Sequence, residues 1–119
     1  MSSSKFQIFQ DVRNEYRFRL RAGNNEIILH SSEGYTTKQN CLKGVAAVKV
    51  NAPLDSRYLR ASTVNDEHYF ALRAGNYETL GMSESYATKY NRDRGMEVVK
   101  REAPTAAIQD LTDTTTSRY

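Results

Sequence analysis

Three arginines alternate with apolar residues in one short segment. Arg17, Arg19 and Arg21 are separated by Phe18 and Leu20, so a two-residue period puts all three guanidinium groups on one face of a β-strand. A face that combines such cations with aromatic rings can bind single-stranded nucleic acid, because the cations contact phosphates and the bases stack on the rings. The alternative is a solvent-exposed face balanced by nearby acidic residues. The candidate nucleic-acid or partner face consists of Arg17, Arg19, Arg21, Tyr69 and Arg73.

A second pattern, Ser-Glu-x-Tyr-x-Thr-Lys, occurs at 32–38 and again at 83–89. If each threonine begins a helix, the exposed backbone N–H groups and the adjacent lysine can hold a phosphate or carboxylate. This hypothesis gives two candidate anion sites, formed by Thr37, Lys38, Thr88 and Lys89. In the structural interpretation, which we favour, the threonine caps the helix and the tyrosine covers the core. Glu33 and Glu84 then accept backbone N–H bonds in the preceding turn, and they would repel an anion.

The remaining reactive residues do not form a catalytic pattern. Cys41 lies on the helix face that the apolar spacing marks as buried, where a thiol is unreactive. His30 and His68 each occur in one half of the chain, and no cysteine and histidine spacing is typical of zinc. Neither a P-loop nor a G-x-G-x-x-G segment follows a predicted strand. We therefore expect no catalytic residues, no metal site and no cofactor; an enzyme with a pocket between the halves is the least favoured hypothesis.

The composition is that of an ordinary globular protein. The chain has 119 residues, 39% of them hydrophobic and 26% charged, with a formal net charge of +3. Such a length suits one compact unit, and a mixed surface of this kind permits an anionic partner without requiring one. No apolar run approaches the roughly 18 residues of a membrane span, and the first residues lack the pattern of a secretory signal. We expect a soluble cytoplasmic protein without a membrane partner.

The chain contains an internal duplication. The segment FRLRAGNNE at 18–26 recurs as FALRAGNYE at 70–78, an offset of 52 residues. We place the loss of one residue after Glu26 and Glu78, so that the later matches follow at an offset of 51. About twenty of some fifty positions agree along the whole unit. Because a half of this size would be marginal alone, we expect the two halves to share one core.

Each half reads as three strands followed by a helix. In the first half the strands are predicted at 6–9, 16–21 and 26–30, with turn residues between them. A helix follows from Thr37 to about Val50, because apolar residues then recur on one helical face and Pro53 comes after the stop. The second half repeats this order, with Thr88 capping a helix that ends before Pro104. Residues 106–111 are predicted to form a last strand.

These units resemble the uncharacterised YegP-type family, in which such a unit occurs singly or in tandem. The likeness rests on EYRFRLRA at 15–22, SEGY at 32–35 and GVAAVKVNAP at 44–53, and it extends from residue 5 to about 112. It implies an α+β fold of two tandem β(3)-α-β repeats sharing a single antiparallel sheet, with helices on one face. It also implies that C-terminal strands are exchanged between repeats, so that 106–111 pairs with the other half and 57–63 bridges the halves. It implies no known biochemical activity.

From these observations we divide the chain into a first repeat at 1–54, a second repeat at 55–112 and a loose tail at 113–119. We predict a small non-catalytic interaction or ligand-binding module that contacts an unidentified protein partner or ligand through its sheet face or strand edges. Weak nucleic-acid binding through the basic face is the alternative. Because each half covers the other, we expect a monomer with pseudo-twofold symmetry.

Overall fold

Both halves of the chain form an antiparallel three-stranded meander followed by a helix. The computed structural model describes residues 3–112; the predicted tail at 113–119 lies outside these residues. The first half contains β1 (Lys5–Gln10), β2 (Tyr16–Arg21), β3 (Ile27–Ser31) and α1 (Lys38–Asn51). The second contains β4 (Tyr58–Ser62), β5 (His68–Arg73), β6 (Thr79–Met82), α2 (Lys89–Glu102) and β7 (Ala107–Asp110). Short 3-10 turns, Asp55–Arg57 and Ala103–Thr105, precede β4 and β7.

The strands form one sheet in the order β4-β5-β6-β3-β2-β1-β7. The predicted fold class is confirmed, but the sheet is mixed rather than antiparallel, because β7 runs parallel to β1. The two meanders meet where β3 pairs with β6, His30 opposite Met82 and Ser31 opposite Gly81. The predicted pairing of 106–111 with the other half is found: β7 crosses to β1 of the first half. Residues 57–63 connect the two halves along the chain, and within the described residues β4 pairs with β5 alone.

One face of the sheet is the core. The alternation in β2 and β5 turns Phe18, Leu20, Phe70 and Leu72 to the same side, and none of these side chains is exposed. Both helices cover that side through a row of small and medium apolar residues: Cys41, Val45 and Val48 from α1, and Met96 and Val99 from α2. Neither helix in residues 3–112 is long and apolar enough to cross a membrane.

A glycine and a tyrosine fix each helix against the sheet. A Cβ at Gly44 would lie 2.6 Å from the Tyr35 hydroxyl, and one at Gly95 would lie 2.4 Å from the Tyr86 hydroxyl. Real Cβ atoms do not approach so closely, so the absence of a side chain lets each tyrosine pass beneath its helix. The two halves therefore use the same packing device.

The one-residue difference between the halves lies later than the sequence alignment placed it. Ser31 Oγ accepts the Phe18 N–H, and Ser83 Oγ accepts the Phe70 N–H. These equivalent bonds keep the offset at 52 through β3 and β6, so the missing residue falls in the loop after Ser83. The placement after Glu26 and Glu78 was wrong. The repeated Ser-Glu pair matches at an offset of 51, which is one residue out of register with the paired strands. Gly81 is consequently the counterpart of Leu29.

Candidate interaction face

One row of outward-facing side chains crosses all seven strands on the side away from the helices. Each pair of neighbours in the row is directly opposite in the strand register, and with about 4.8 Å between strands the row spans about 29 Å. The row is Gln109, Gln7, Arg19, His30, Met82, Ala71 and Leu59. It is polar and cationic over the first half and apolar over the second half.

Two of the predicted arginines form a fixed cluster at the cationic end. The Nε groups of Arg19 and Arg21 both donate to Gln7 Oε1, each at 2.8 Å. Gln7 Nε2 in turn donates to Gln109 Oε1 on β7, also at 2.8 Å. Since one amide oxygen accepts from both arginines, it holds their guanidinium groups side by side. We call Arg19 and Arg21 the guanidinium pair.

The guanidinium pair lacks a neutralising carboxylate. In the described part of the chain, no acidic oxygen lies within 4.0 Å of either guanidinium. Burial and the neighbouring charge of Arg21 lower the pKa of Arg19, while its guanidinium carbon lies 4.6 Å from the centre of the Phe9 ring. An anion placed between the two cations would relieve their repulsion and accept the remaining N–H groups.

Arg17, the third predicted arginine, is already neutralised. Its Nε lies 2.7 Å from Asp11 Oδ2. The hydrogen bond from Arg17, together with backbone N–H groups of Glu15 and Arg13, holds the pKa of Asp11 below its usual range although desolvation opposes it. Arg17 therefore stabilises the turn between β1 and β2 rather than offering a free cation.

Tyr69 and Arg73 lie on the same face but not beside the pair. They belong to β5, three strand spacings or about 14 Å from β2. The Arg73 guanidinium lies 5.2 Å from the Tyr77 ring centre, and its Nε is buried without a hydrogen-bond partner among the described residues. Arg73 lies opposite Thr79, whereas the outward side chains beside Tyr69 are apolar. We call Leu59, Ala61, Tyr69, Ala71 and Met82 the apolar patch.

The sequence interpretation missed Gln7 and Phe9, which hold the guanidinium pair in place. Both stand at odd positions of β1 and thus share the outward face with the arginines of β2. That alternation was the available signal. It did not show which β1 side chain would lie opposite Arg19, because the register between two strands depends on the turn that connects them.

The two repeated helix starts carry capping contacts. Thr37 accepts the Asn40 N–H at 3.1 Å, and Thr88 accepts the Asn91 N–H at 3.0 Å. Lys38 pairs with Asp110 at 2.6 Å, whereas Lys89 has no hydrogen bond or ion pair with another described residue. The anion hypothesis for these starts remains a prediction.

The role expected of the two glutamates was wrong. Neither Glu33 nor Glu84 accepts a backbone N–H in the part of the chain that the structure describes. The carboxylate of Glu84 instead lies 3.9 Å from His30 Nε2. The turn before each helix is held by backbone bonds: Tyr35 pairs with Tyr16, and Tyr86 pairs with His68.

The remaining reactive side chains have structural contacts. Burial raises the pKa of the Cys41 thiol to about 11, with a smaller contribution from the charge of Asp110, so the thiolate that would act as a nucleophile is scarce. His68 Nδ1 lies 2.8 Å from Ser62 Oγ in a buried position. Among residues 3–112 no three acidic, histidine or cysteine side chains are grouped as a metal site.

Two equivalent grooves lie between the halves. One, of about 410 Å³, places Tyr86, Asn91 and Arg94 beside Glu26 of the opposite half. The other, of about 350 Å³, places Tyr35, Asn40 and Lys43 beside Glu78. Burial raises the pKa of both tyrosines, so they are neutral hydroxyl groups near pH 7. Among the described residues that line them, no nucleophile is hydrogen-bonded to a base.

Comparison with known sequences identifies the repeat. The family described as "Domain of unknown function (DUF1508)" matches residues 11–58 and 64–110. The chain is 47% identical over 109 residues to the UPF0339 protein in the ptx operon 5′ region of Stutzerimonas stutzeri, covering 92% of this chain and 97% of that protein. The resemblance to the YegP-type family is thereby confirmed.

Two solved structures have the same fold. The solution structure of a UPF0339 protein from Shewanella oneidensis has a TM-score of 0.85 at 35% identity, covering 92% of both chains. The solution structure of YegP from Escherichia coli, a protein of unknown function, has a TM-score of 0.88 at 36% identity, covering 95% of this chain and 97% of that one. These similarities extend over both halves.

Proposed function

This chain belongs to the DUF1508 family, and from its geometry we propose that it is a non-catalytic interaction module that binds an acidic segment of a partner protein on the outer sheet face. The observation that carries this proposal is the guanidinium pair. Arg19 and Arg21 are fixed by one acceptor, Gln7, and no acidic oxygen in residues 3–112 lies within 4.0 Å of either guanidinium. Two ordered guanidinium groups match the planar, bidentate geometry of a carboxylate.

The apolar patch supplies the second contact. It lies about 14 Å from the pair along the row that crosses the strands. An extended chain advances about 3.3 Å per residue, so a partner segment would place its apolar side chain about four residues from its acidic one. Interfaces of this kind combine an apolar anchor with a charged contact that sets the orientation.

Nucleic acid is supported less well by the same surface. A single-stranded binding platform tracks several phosphates while rings stack on successive bases. Here Asp11 neutralises Arg17, and Tyr69 lies three strands away from the pair. Binding of an oligonucleotide is therefore the alternative outcome that the test must detect.

The test is an NMR titration of the full ¹⁵N-labelled chain with the capped peptide Glu-Glu-Thr-Ser-Leu-Leu. We expect amide shift changes at the guanidinium pair, Gln7 and Met82, and much weaker binding of the peptide in which both glutamates are glutamine. Equal binding of both peptides, or changes confined to the helix side, would overturn the proposal. An octathymidylate that binds more tightly, with an affinity falling steeply with salt, would favour nucleic acid.

Matched variants separate binding from folding. Arg19→Gln removes one cation of the pair and should weaken the acidic peptide several-fold. Arg17→Gln removes a cation that Asp11 already neutralises and serves as the control, with a smaller loss of affinity. Thermal unfolding of both variants verifies that the sheet is intact.

We further propose that the module acts as a monomer in the cytoplasm. The pairing of β3 with β6 and the shared core give each half the cover that a second copy would supply. Light scattering of the purified chain should give the mass of one chain, and a stable dimer would contradict this. Cell fractionation with an antibody to the chain tests the location.

A further inference from the structure

The outer edge of β1 is closed by β7, which is held at several points. Leu111 N–H donates to the Ile8 carbonyl at 2.8 Å. Lys38, the first residue of α1, pairs with Asp110 at 2.6 Å, and Lys49 donates to the Ala106 carbonyl at 2.8 Å. This edge thus shows how a parallel strand is received: the edge of β1 binds the backbone of β7, and two lysines of the covering helix contact β7. We call this arrangement the receptor.

The second half repeats the receptor. Lys89 and Lys100 of α2 stand 51 residues after Lys38 and Lys49. The ammonium of Lys49 lies 5.8 Å from the Phe6 ring centre, and that of Lys100 lies 5.5 Å from the ring centre of Tyr58, the counterpart of Phe6. The helix, the lysines and the receiving strand therefore have the same arrangement in both halves.

The strand that would fill the second receptor is absent from residues 3–112. After α1 the chain passes through Asp55–Arg57 directly into β4, so the positions that correspond to β7 are used to enter β4 itself. Lys100 donates to Asp55 Oδ1 at 2.6 Å, just as Lys49 donates to the Ala106 carbonyl. The vacant part of the receptor accordingly begins beside Tyr58.

The backbone of β4 presents its hydrogen-bonding groups to this vacancy. Thr63 N–H donates to the Glu67 carbonyl, and antiparallel pairs alternate between bonded and non-bonded residues. That alternation turns the N–H and C=O groups of Arg60 and Ser62 to the open edge. Arg60 corresponds to Ile8, whose carbonyl accepts from Leu111 on the closed side.

We propose that the outer edge of β4 is a binding slot for an extended segment of another protein that pairs parallel to β4. In the closed receptor Ile108 lies opposite Phe6, and Asp110 lies opposite Ile8. Transferred to β4, the bound segment places an apolar side chain beside Tyr58 and a carboxylate two residues later beside Arg60. This is strand addition to a sheet edge, with its register copied from the chain's own β7.

The charges around the slot select an acidic segment. Arg60 reaches Asp55 at 3.7 Å and Asp93 at 3.5 Å, and Arg92 contacts Asp93 at 3.0 Å. With Lys89 and Lys100 there are four cations against three carboxylates, because Glu97 also pairs with Lys100 at 3.2 Å. Lys89 has no ion pair with another described residue. Arg60 replaces the buried Ile8, and an inward charge of this kind discourages indiscriminate edge pairing. A carboxylate in the incoming strand would neutralise Arg60 and so make pairing at this edge favourable.

A second copy of the chain does not suit the slot. Its β7 already pairs with its own β1, and donating that strand would open the first receptor to fill the second. The occupant is therefore a segment of a different protein. The slot lies at the sheet edge on the helix side, whereas the guanidinium pair lies on the outer face. Binding at one site can therefore be lost while binding at the other is retained.

The probe for this slot is the capped peptide Thr-Ala-Ala-Ile-Gln-Asp-Leu-Thr, the sequence of residues 105–112. Titrated into the ¹⁵N-labelled full chain, it should shift the amides of Arg60 and Ser62 and leave that of Ile8 unchanged. Shifts at Ile8 and 107–110 would mean that the peptide replaces β7, and an unchanged β4 at saturating peptide would mean that the slot is closed. Either result overturns the proposal.

Variants test the expected charge selection. The peptide in which aspartate is replaced by asparagine should bind about 2- to 5-fold more weakly, as expected for an exposed ion pair. Lys89→Gln should reduce the affinity of the acidic peptide by a similar factor, while Lys43→Gln, on the other helix, should leave it unchanged. Equal affinities for the two peptides would show that the slot does not select acid. Arg19→Gln leaves this binding intact if the slot is independent of the outer face.

Discussion

The two halves of the molecule agree on the helix side of the sheet and differ on the outer side. Phe18 and Leu20 in the first half correspond to Phe70 and Leu72 in the second, and all four are buried. On the other face of the same strands, Arg17 and Arg19 correspond to Tyr69 and Ala71. The shared core restricts the first set to similar shapes, whereas solvent left the second set free to diverge. A half-specific binding surface therefore belongs on the outer face.

The two edges of the sheet differ in a related way. One edge of the first meander is covered by β7, while the corresponding edge of the second meander is open within the described residues. A tandem duplication produces this difference without any substitution, because the first unit's last segment must continue into the second unit. Of the two equivalent strand edges, β7 covers that of β1, and the edge of β4 remains available to a segment of another protein.

The strongest test of the shared core is to truncate it equally in both halves. Leu20→Ala and Leu72→Ala each remove a fully buried side chain and should each lower the free energy of unfolding by about 2–5 kcal/mol. Chemical denaturation of the two variants measures this. Similar losses confirm one cooperative core, whereas a loss below about 0.5 kcal/mol in either variant would mean that the assigned strand face is wrong.

A smaller loss of stability is expected from a substitution at Gly81, where the second half has no room for the leucine of the first. A Cβ at Gly81 would lie 3.0 Å from both the His30 carbonyl oxygen and Leu29 Cγ, at the junction of β3 and β6. Gly81→Ala should therefore lower the free energy of unfolding by about 1–3 kcal/mol through overpacking. In Gly75→Ala the new Cβ meets the flexible end of Arg57 at 3.3 Å. A loss of equal size there would contradict the steric explanation.

Gly81 also shows where sequence reasoning stopped. The periodicity placed the strands and helices within one or two residues, since alternation and capping are local properties. The offset between the halves was misplaced because Leu29 and Gly81 do not resemble each other. At the junction, where the two units meet in the sheet, the side chain of Leu29 occupies the space that a side chain at position 81 would need. No local pattern reports a contact across such a junction.

In the candidate site, too, local patterns were predicted correctly and contacts between segments were not. Alternation placed Arg17, Arg19 and Arg21 on one face, as found, but it treated them as equivalent. Their difference arises from contacts with other segments: Asp11 neutralises Arg17, and Gln7 joins Arg19 to Arg21. The parallel course of β7 likewise depends on which edge the chain returns to. Both features are set by tertiary neighbours that a single strand does not specify.

Removing the helix caps should lower the free energy of unfolding by the same amount in the two halves. Thr37→Ala and Thr88→Ala each remove the side-chain acceptor of a first-turn N–H. Each should lower the free energy of unfolding by about 0.5–2 kcal/mol, measured by thermal or chemical unfolding. Thr36→Ala, one residue before the cap, should be nearly neutral. A clearly smaller loss for one cap would break the equivalence of the helix starts.

The smallest effect concerns the edge contact that distinguishes the halves. Burial tends to raise the pKa of Asp110, but hydrogen bonds from Lys38 and Thr112 outweigh it and hold the pKa below its usual range. A carboxyl that is more acidic when folded stabilises the protein above the usual aspartate range, and this stabilisation is lost as the pH falls through the lowered pKa. Because the carboxylate is about one third exposed, its contribution should stay below about 1 kcal/mol.

Asp110→Asn should therefore lower the free energy of unfolding near pH 7 and have little effect once the pH is well below the carboxyl range. The free energy of unfolding of the variant should consequently fall less on acidification than that of the unmodified chain. Glu33→Gln, which removes a carboxyl that has no hydrogen bond or ion pair with another described residue, is the control. A loss that persists at low pH would mean that packing, not charge, holds β7. Hydrogen exchange gives the local measure: the Leu111 N–H, bonded to the Ile8 carbonyl, should exchange faster in the variant at pH 7. The exchange of the β4 amides should be unchanged, because β4 lies at the opposite edge of the sheet from Asp110.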